Sequence, residues 1–127
     1  MRTLARKIAF QTIFADLFAS DNYETVLNQL LDEEKLDAKG TEFAKQILLA
    51  YKDNKAQIVA EVESKVEGYE LQRVYRVDLA LIYLGITEIK FIGTPKAVVI
   101  NEILEIAKTF SSEKSVSFIN GILAKLN

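Results

Sequence analysis

The stretch Thr94-Pro95-Lys96-Ala97-Val98-Val99-Ile100-Asn101-Glu102-Ile103-Leu104-Glu105-Ile106-Ala107-Lys108-Thr109-Phe110 decides the fold. Pro95 is the only proline of the chain. It suits the first position of a helix, where its missing N–H costs nothing, and Thr94 before it suits an N-cap. Val98-Val99-Ile100 is β-branched and on propensity alone fits a strand. The helical reading wins because the segment is long, opens on helix-start residues and lacks a hairpin turn. A helix over 95–110 is predicted. Ser111 or Ser112 then caps a last helix over 112–126, with Ile119, Ile122, Leu123 and Leu126 facing inward and Gly121 allowing close approach of a neighbour. Asn101 and Asn120 interrupt these apolar helices and read as buried hydrogen-bonding residues, because an unpaired buried amide is costly.

Working outward, Val77 to Phe91 is apolar on nearly every side and is predicted to be the buried centre, with Ile82 in the core. A short helix around Leu71 to Tyr75 leads into it, and Gly68 closes the first half. Residues 3 to 19 form an amphipathic helix whose stripe is Phe10, Ile13, Phe14, Leu17 and Phe18. Asp21 with Glu24 fits a capping box for a second helix over about 22–34, faced by Leu27, Leu30 and Leu31. Asp37 to Gly40 is read as a loop and Thr41 as the cap of a third helix running to about Val66. Phe43, Ile47, Leu48, Tyr51, Ile58 and Val62 give that helix its inner face, and Lys52 to Lys55 offers a place to bend.

The 127 residues are 50% hydrophobic and 27% charged, the balance of one globular domain over residues 1–127. Five glycines and one proline leave little material for turns, which favours an all-α fold of long helices. The absence of Cys and His excludes the usual zinc sites, disulfides, a Cys nucleophile and a Ser-His-Asp triad. Glu102 and Glu105 share a helical face, but dinuclear carboxylate sites in bundles add a Glu-x-x-His pair that this chain lacks. No cofactor, metal or catalysed reaction is expected. No apolar run reaches the ~20 residues that span a membrane, and no signal peptide is read, so a cytoplasmic location is expected. A net charge of −2 excludes a large electrostatic footprint, so any nucleic-acid site is local.

Local cations do occur at the N-terminus, where Arg2 and Arg6 lie four apart and Lys7 about 100° further round. Spacing alone reads them as a solvated polar face, and cations at a helix N-terminus slightly oppose its dipole. The strings TPKAVVINEILEIAKTF and SVSFINGIL resemble the C-terminal signature of the NusB family, RNA-binding transcription antitermination factors. Arg6-Lys7-x-Ala9-x-Gln11-x-x-Phe14 is similar to that family's arginine-rich first helix, which binds boxA RNA. Thr3 and Leu4 stand here where the family often has further arginines. Leu71-x-Arg73, Val77-Asp78-Leu79-Ala80-Leu81-Ile82 and Glu88-Ile89 resemble its fourth and fifth helices, although Leu79, Tyr83 and Thr87 replace typical Arg, Arg and Tyr.

The resemblance implies an all-α NusB-like bundle of about seven helices in two three-helix subdomains. It implies antitermination on ribosomal RNA operons, with boxA RNA, NusE (a small-subunit ribosomal protein) and the transcribing RNA polymerase complex as partners. Arg2, Arg6, Lys7, Gln11, Phe14, Lys114 and Phe118 are the implied RNA-binding residues. Asp78 is the implied contact to NusE, or else a helix cap, and Phe118 is either a base-stacking residue or core edge. Three cations on single-stranded RNA give a salt slope of only about −2, so a partner is expected to strengthen binding. Two alternatives stand beside this function: a helical protein-interaction module, and a stand-alone relative of the N-terminal domain of ribosomal RNA cytosine methyltransferases. Monomer and homodimer are both open, and a dimer would be able to mask the RNA surface.

Overall fold

The computed structural model describes residues 2–19, 22–66 and 73–126. Seven α-helices follow one another, and no strand occurs among the described residues: α1 (Arg2–Asp16), α2 (Tyr23–Glu34), α3 (Ala38–Asp53), α4 (Lys55–Lys65), α5 (Arg76–Thr87), α6 (Lys96–Phe110) and α7 (Glu113–Ala124). Two three-helix groups, α1–α3 and α5–α7, meet where α1 and α3 pack on α5, and α4 lies against α5 as well. The apolar core is continuous across both groups. Val98 to Ile100 is helical, as its long periodic setting requires.

Every residue of α5 from Asp78 to Thr87 is buried, so this helix is the centre that its uninterrupted apolar sequence predicts. Ile82 and Ile122 are both core, with Ile82 fully enclosed. Each large side chain so removed from water contributes roughly 1.5–3 kcal/mol. Gly85 is required by packing. A Cβ there would lie 2.9 Å from Leu123 Cδ2, so α5 and α7 approach through that missing methyl. The close approach expected at Gly121 does not occur, because nothing lies within 4 Å of its Cβ position.

α5 does not run unbroken to Phe91. It passes into a π-helical turn, Glu88–Ile92, closed by Gly93 at φ 87. The Gly93 N–H donates to Glu88 O at 2.9 Å, the i→i+5 spacing of a π turn, and a left-handed φ is cheap only for glycine. Thr94 is then not the N-cap of α6, since its hydroxyl donates to the Glu88 carboxylate at 3.0 Å. Pro95 takes the cap position in extended backbone, one residue later than expected.

The start of α3 also differs. Asp37 to Gly40 is no loop, because the Asp37 carboxylate accepts the Gly40 N–H at 2.7 Å and begins the helix earlier than Thr41. The bend expected at Lys52–Lys55 is a full break at Asn54, whose side-chain amide donates to Ala50 O at 2.8 Å. Ser112 caps α7 by accepting the Ser115 N–H. Phe18 leaves the α1 stripe and is 64% exposed, since the helix ends at Asp16. Asn101 and Asn120 are exposed rather than buried, because the stripes Val99-Ile103-Ile106-Ala107 and Ile119-Ile122-Leu123 leave them facing solvent. Asp21, Gly68 and Leu71, read above as a cap, a boundary and a helix start, lie outside the described residues.

Candidate nucleic-acid interface

Two consecutive cations of α1 have opposite surroundings. Arg6 is only 3% exposed, and its Nε donates to both Glu88 oxygens at 3.0 and 2.8 Å. Nη2 meets Glu88 Oε1 at 2.6 Å and Nη1 meets Glu102 Oε1 at 2.7 Å. Thr94 on Glu88 and Thr3 on Glu102 complete the cluster. Burial opposes the guanidinium charge, but hydrogen bonds and attraction from Glu88 and Glu102 outweigh it and hold its pKa above the ordinary arginine value. The structure therefore does not place Arg6 on an open phosphate-facing flank. It ties α1 to the π turn and to α6.

Arg2 is exposed, with its guanidinium 4.4 Å from the Phe43 ring centroid. Lys7 turns the other way and sets its ammonium 5.9 Å from the centroid of Phe110. From Phe110 a chain of rings runs along α1: Phe110 to Phe10 at 5.3 Å, Phe10 to Phe14 at 6.3 Å and Phe14 to Phe18 at 5.1 Å. Phe10 is buried and anchors the row, Phe14 is half-buried, and Phe110 and Phe18 are 39% and 64% exposed. Gln11 is half-buried on the same helix, and its Oε1 is closed off from solvent with no donor. A cation beside accessible aromatic faces suits bases and phosphates of a single strand better than a duplex groove.

Lys114 and Phe118 stand apart from α1, on α7, where they line a recess with Asp78. The sequence reading places Asp78 at a partner surface or as a cap, and it is neither. It is 4% exposed, and its two carboxylate oxygens accept from Ser111 Oγ and Ser115 Oγ, each at 2.8 Å. It ties α5 to the corner between α6 and α7. The structure thus brings Lys7, Phe14 and Phe110 together, puts Gln11 on the same helix, and removes Arg6 and Asp78 into buried networks. Sequence reasoning misses Phe110 and Phe18 as accessible rings. The signal is present in Phe10 and Phe14, which lie four apart on one helix face, and in Phe18, four further on in the turn after α1. Among the described residues no acidic cluster suited to a metal occurs, and no helix is long and apolar enough to cross a membrane.

The sequence model of the NusB family matches residues 3–127. The chain is 33% identical over 126 residues to the transcription antitermination protein NusB of Finegoldia magna, covering 98% of this chain and 92% of that one. The solved structure of T. maritima NusB superposes with a TM-score of 0.91 at 32% identity, over 98% of this chain and 89% of that one. A structure of the antitermination factors NusB and NusE in complex with double-stranded RNA gives a TM-score of 0.89 at 22% identity, covering 97% and 92% of the respective chains. That last likeness is one of fold.

Proposed function

This chain belongs to the NusB family, and from that premise we propose how it engages RNA and its partner protein. Its function is transcription antitermination. The α1 face binds boxA RNA as a single strand, with Lys7 and Arg2 on phosphates, Phe14, Phe18 and Phe110 as stacking surfaces, and Gln11 beside them on the same helix. The observation that carries this reading is the ring chain from Phe110 to Phe18 with Lys7 at its end. The solved complex of NusB and NusE with RNA, which shares the fold, supports NusE as the protein partner.

In this reading the chain is one RNA-binding domain, works in the cytoplasm at the transcribing polymerase, and catalyses no reaction. Arg6 acts through position alone, holding the helix that presents Lys7. Titration of fluorescent boxA RNA, alone and with NusE, tests it. The double variant Arg2→Ala, Lys7→Ala is expected to melt like the parent and to lower the magnitude of the salt slope by about 1.4, about 0.7 for each phosphate no longer neutralised. An unchanged slope and affinity would make the N-terminal cations a solvated face.

A further inference from the structure

The end of α1, the first turn of α2 and the break between α3 and α4 enclose a recess of about 550 Å³. Its volume falls within the range of about 300–1,000 Å³ common for small-ligand sites. Asp16 ends α1, and its side chain is the one that calls for an occupant. The residue is only 8% exposed, and both of its donors use the same oxygen. Tyr51 Oη donates to Oδ2 at 3.3 Å and Lys55 Nζ at 2.9 Å. Oδ1 accepts nothing from the described residues, yet it is not sealed from solvent as Gln11 Oε1 is. A carboxylate oxygen has lone pairs to satisfy, and leaving them empty in a buried wall is costly. This wall suits an N–H donor.

The other charges say what carries that donor. Glu24 of α2 and Lys52 of α3 line the same recess, and both are exposed. Neither has an ion-pair partner among the described residues, and they do not pair with each other. Lys52 instead sets its ammonium 5.5 Å from the centroid of the Tyr23 ring. Lys55 is already committed to Asp16. Two acids against two lysines leave the lining without net charge, so a phosphate-rich nucleotide or a polyamine would face uncompensated like charge. A small molecule with one cation and one anion matches it, its ammonium toward Asp16 Oδ1 and Glu24 and its carboxylate toward Lys52. Burial, with the charges of Glu24, Asp16 and Asp53, holds the Tyr23 phenol above its ordinary value, so both acids of the lining act at one place beside that ring. Tyr23 is half-buried and offers its face to an apolar side chain.

We propose that this recess binds a free α-amino acid with an apolar or aromatic side chain, its ammonium held by Asp16 and Glu24 and its carboxylate by Lys52. The proposal does not depend on the RNA reading of α1.

The test titrates the full chain with L-phenylalanine, followed by calorimetry and by the amide shifts of Thr25 and Lys52. A Kd of about 1 mM or lower is expected. Two analogues each remove one charge. 3-Phenylpropanoate, which lacks the ammonium, is expected to bind about 10- to 150-fold more weakly, because it forfeits a charge-assisted hydrogen bond to a buried carboxylate. Phenethylamine, which lacks the carboxylate, is expected to lose about 1.5- to 5-fold, since Lys52 is exposed. Asp16→Asn should weaken L-phenylalanine about 10- to 150-fold. Because Asp16 also ties α1 to α3 and α4, Glu24→Gln and Lys52→Gln are measured beside it. Both positions are exposed, so melting should not change while binding weakens about 1.5- to 5-fold in each. Lys108→Gln, on an exposed pair of α6, should bind like the parent. No binding of L-phenylalanine at about 10 mM would overturn the proposal. Equal affinity for 3-phenylpropanoate, or parental affinity in both Glu24→Gln and Lys52→Gln, would overturn it as well, since the two charges would then play no part.

Discussion

Arg6 and Lys7 are neighbours in the chain, yet they belong to regions governed by opposite physics. Around Arg6 the guanidinium and the Glu88 carboxylate are out of water, every carboxylate has a donor, and the geometry is fixed by Glu88 on the π turn and the partly open Glu102 on α6. Around Lys7 the charge is half-open and faces the Phe110 ring. The first arrangement cannot release its cation to a phosphate without leaving a buried acid unpaired. The second can. A basic pair in a helix thus divides into one residue that builds the site and one that serves it.

The largest effect expected comes from breaking the buried side. Arg6→Ala leaves Glu88, fully buried, without its main donor, and should cost about 3–5 kcal/mol. Thermal melting would fall by roughly 10 °C or more. Adding Glu88→Gln to that variant should recover part of the loss, because the stranded charge is then gone. Melting unchanged in Arg6→Ala would mean that the cluster is solvated and the comparison with Lys7 is void.

A benchmark of nearly equal size comes from the apolar core beside it. Ile82→Ala, on the fully buried face of α5, should cost about 2–5 kcal/mol in urea unfolding. If Arg6→Ala costs less than Ile82→Ala by more than the spread between repeats, the ionic cluster is an ornament on a hydrophobic fold.

The open side is tested by binding. Phe110→Ala should fold normally, being 39% exposed, and weaken RNA affinity by about 1–3 kcal/mol through the missing stacking face. Lys7→Ala should reduce the salt slope by about 0.7, whereas Arg6→Lys should leave the slope alone even if affinity falls. A slope that drops in Arg6→Lys would place that residue against phosphate after all.

These contrasts show what can be read from sequence. The helical order, the buried α5 and the inner stripes follow from periodicity, since 3.6-residue spacing is written in the chain. Sequence misplaces the cap of α6 because Thr94 fits the role locally, and only the fold brings Glu88 within reach of its hydroxyl. The same reason hides Arg6 and Asp78. Their partners are 82, 96, 33 and 37 residues away in the chain, at Glu88, Glu102, Ser111 and Ser115. A resemblance can say that a cation or acid belongs at a position, but burial decides whether it faces a ligand or a neighbour. Phe110 ends the stretch that decides the fold, and its use becomes apparent only when α6 ends beside Phe10.

The smallest effect expected concerns the middle of the π turn, where Lys90 bonds Glu61 of α4 at 2.8 Å. Hydrogen bonding from Lys90, with its charge and that of Lys65, holds the Glu61 carboxyl below its ordinary range. Because the folded pKa lies below the unfolded one, the contribution is fully present above the unfolded value and is lost as pH falls through the folded value. The pair is largely solvated, so it is worth about 0.2–1 kcal/mol and is weakened by salt. Glu61→Gln should therefore lower stability slightly at neutral pH and not at all in acid, where the parent has lost the same interaction. This sharpens the contrast with Arg6: two ion pairs flank one π turn, and only the buried one should resist salt. A large loss in Glu61→Gln that persists in acid would show that α4 is held on α5 by something other than this charge.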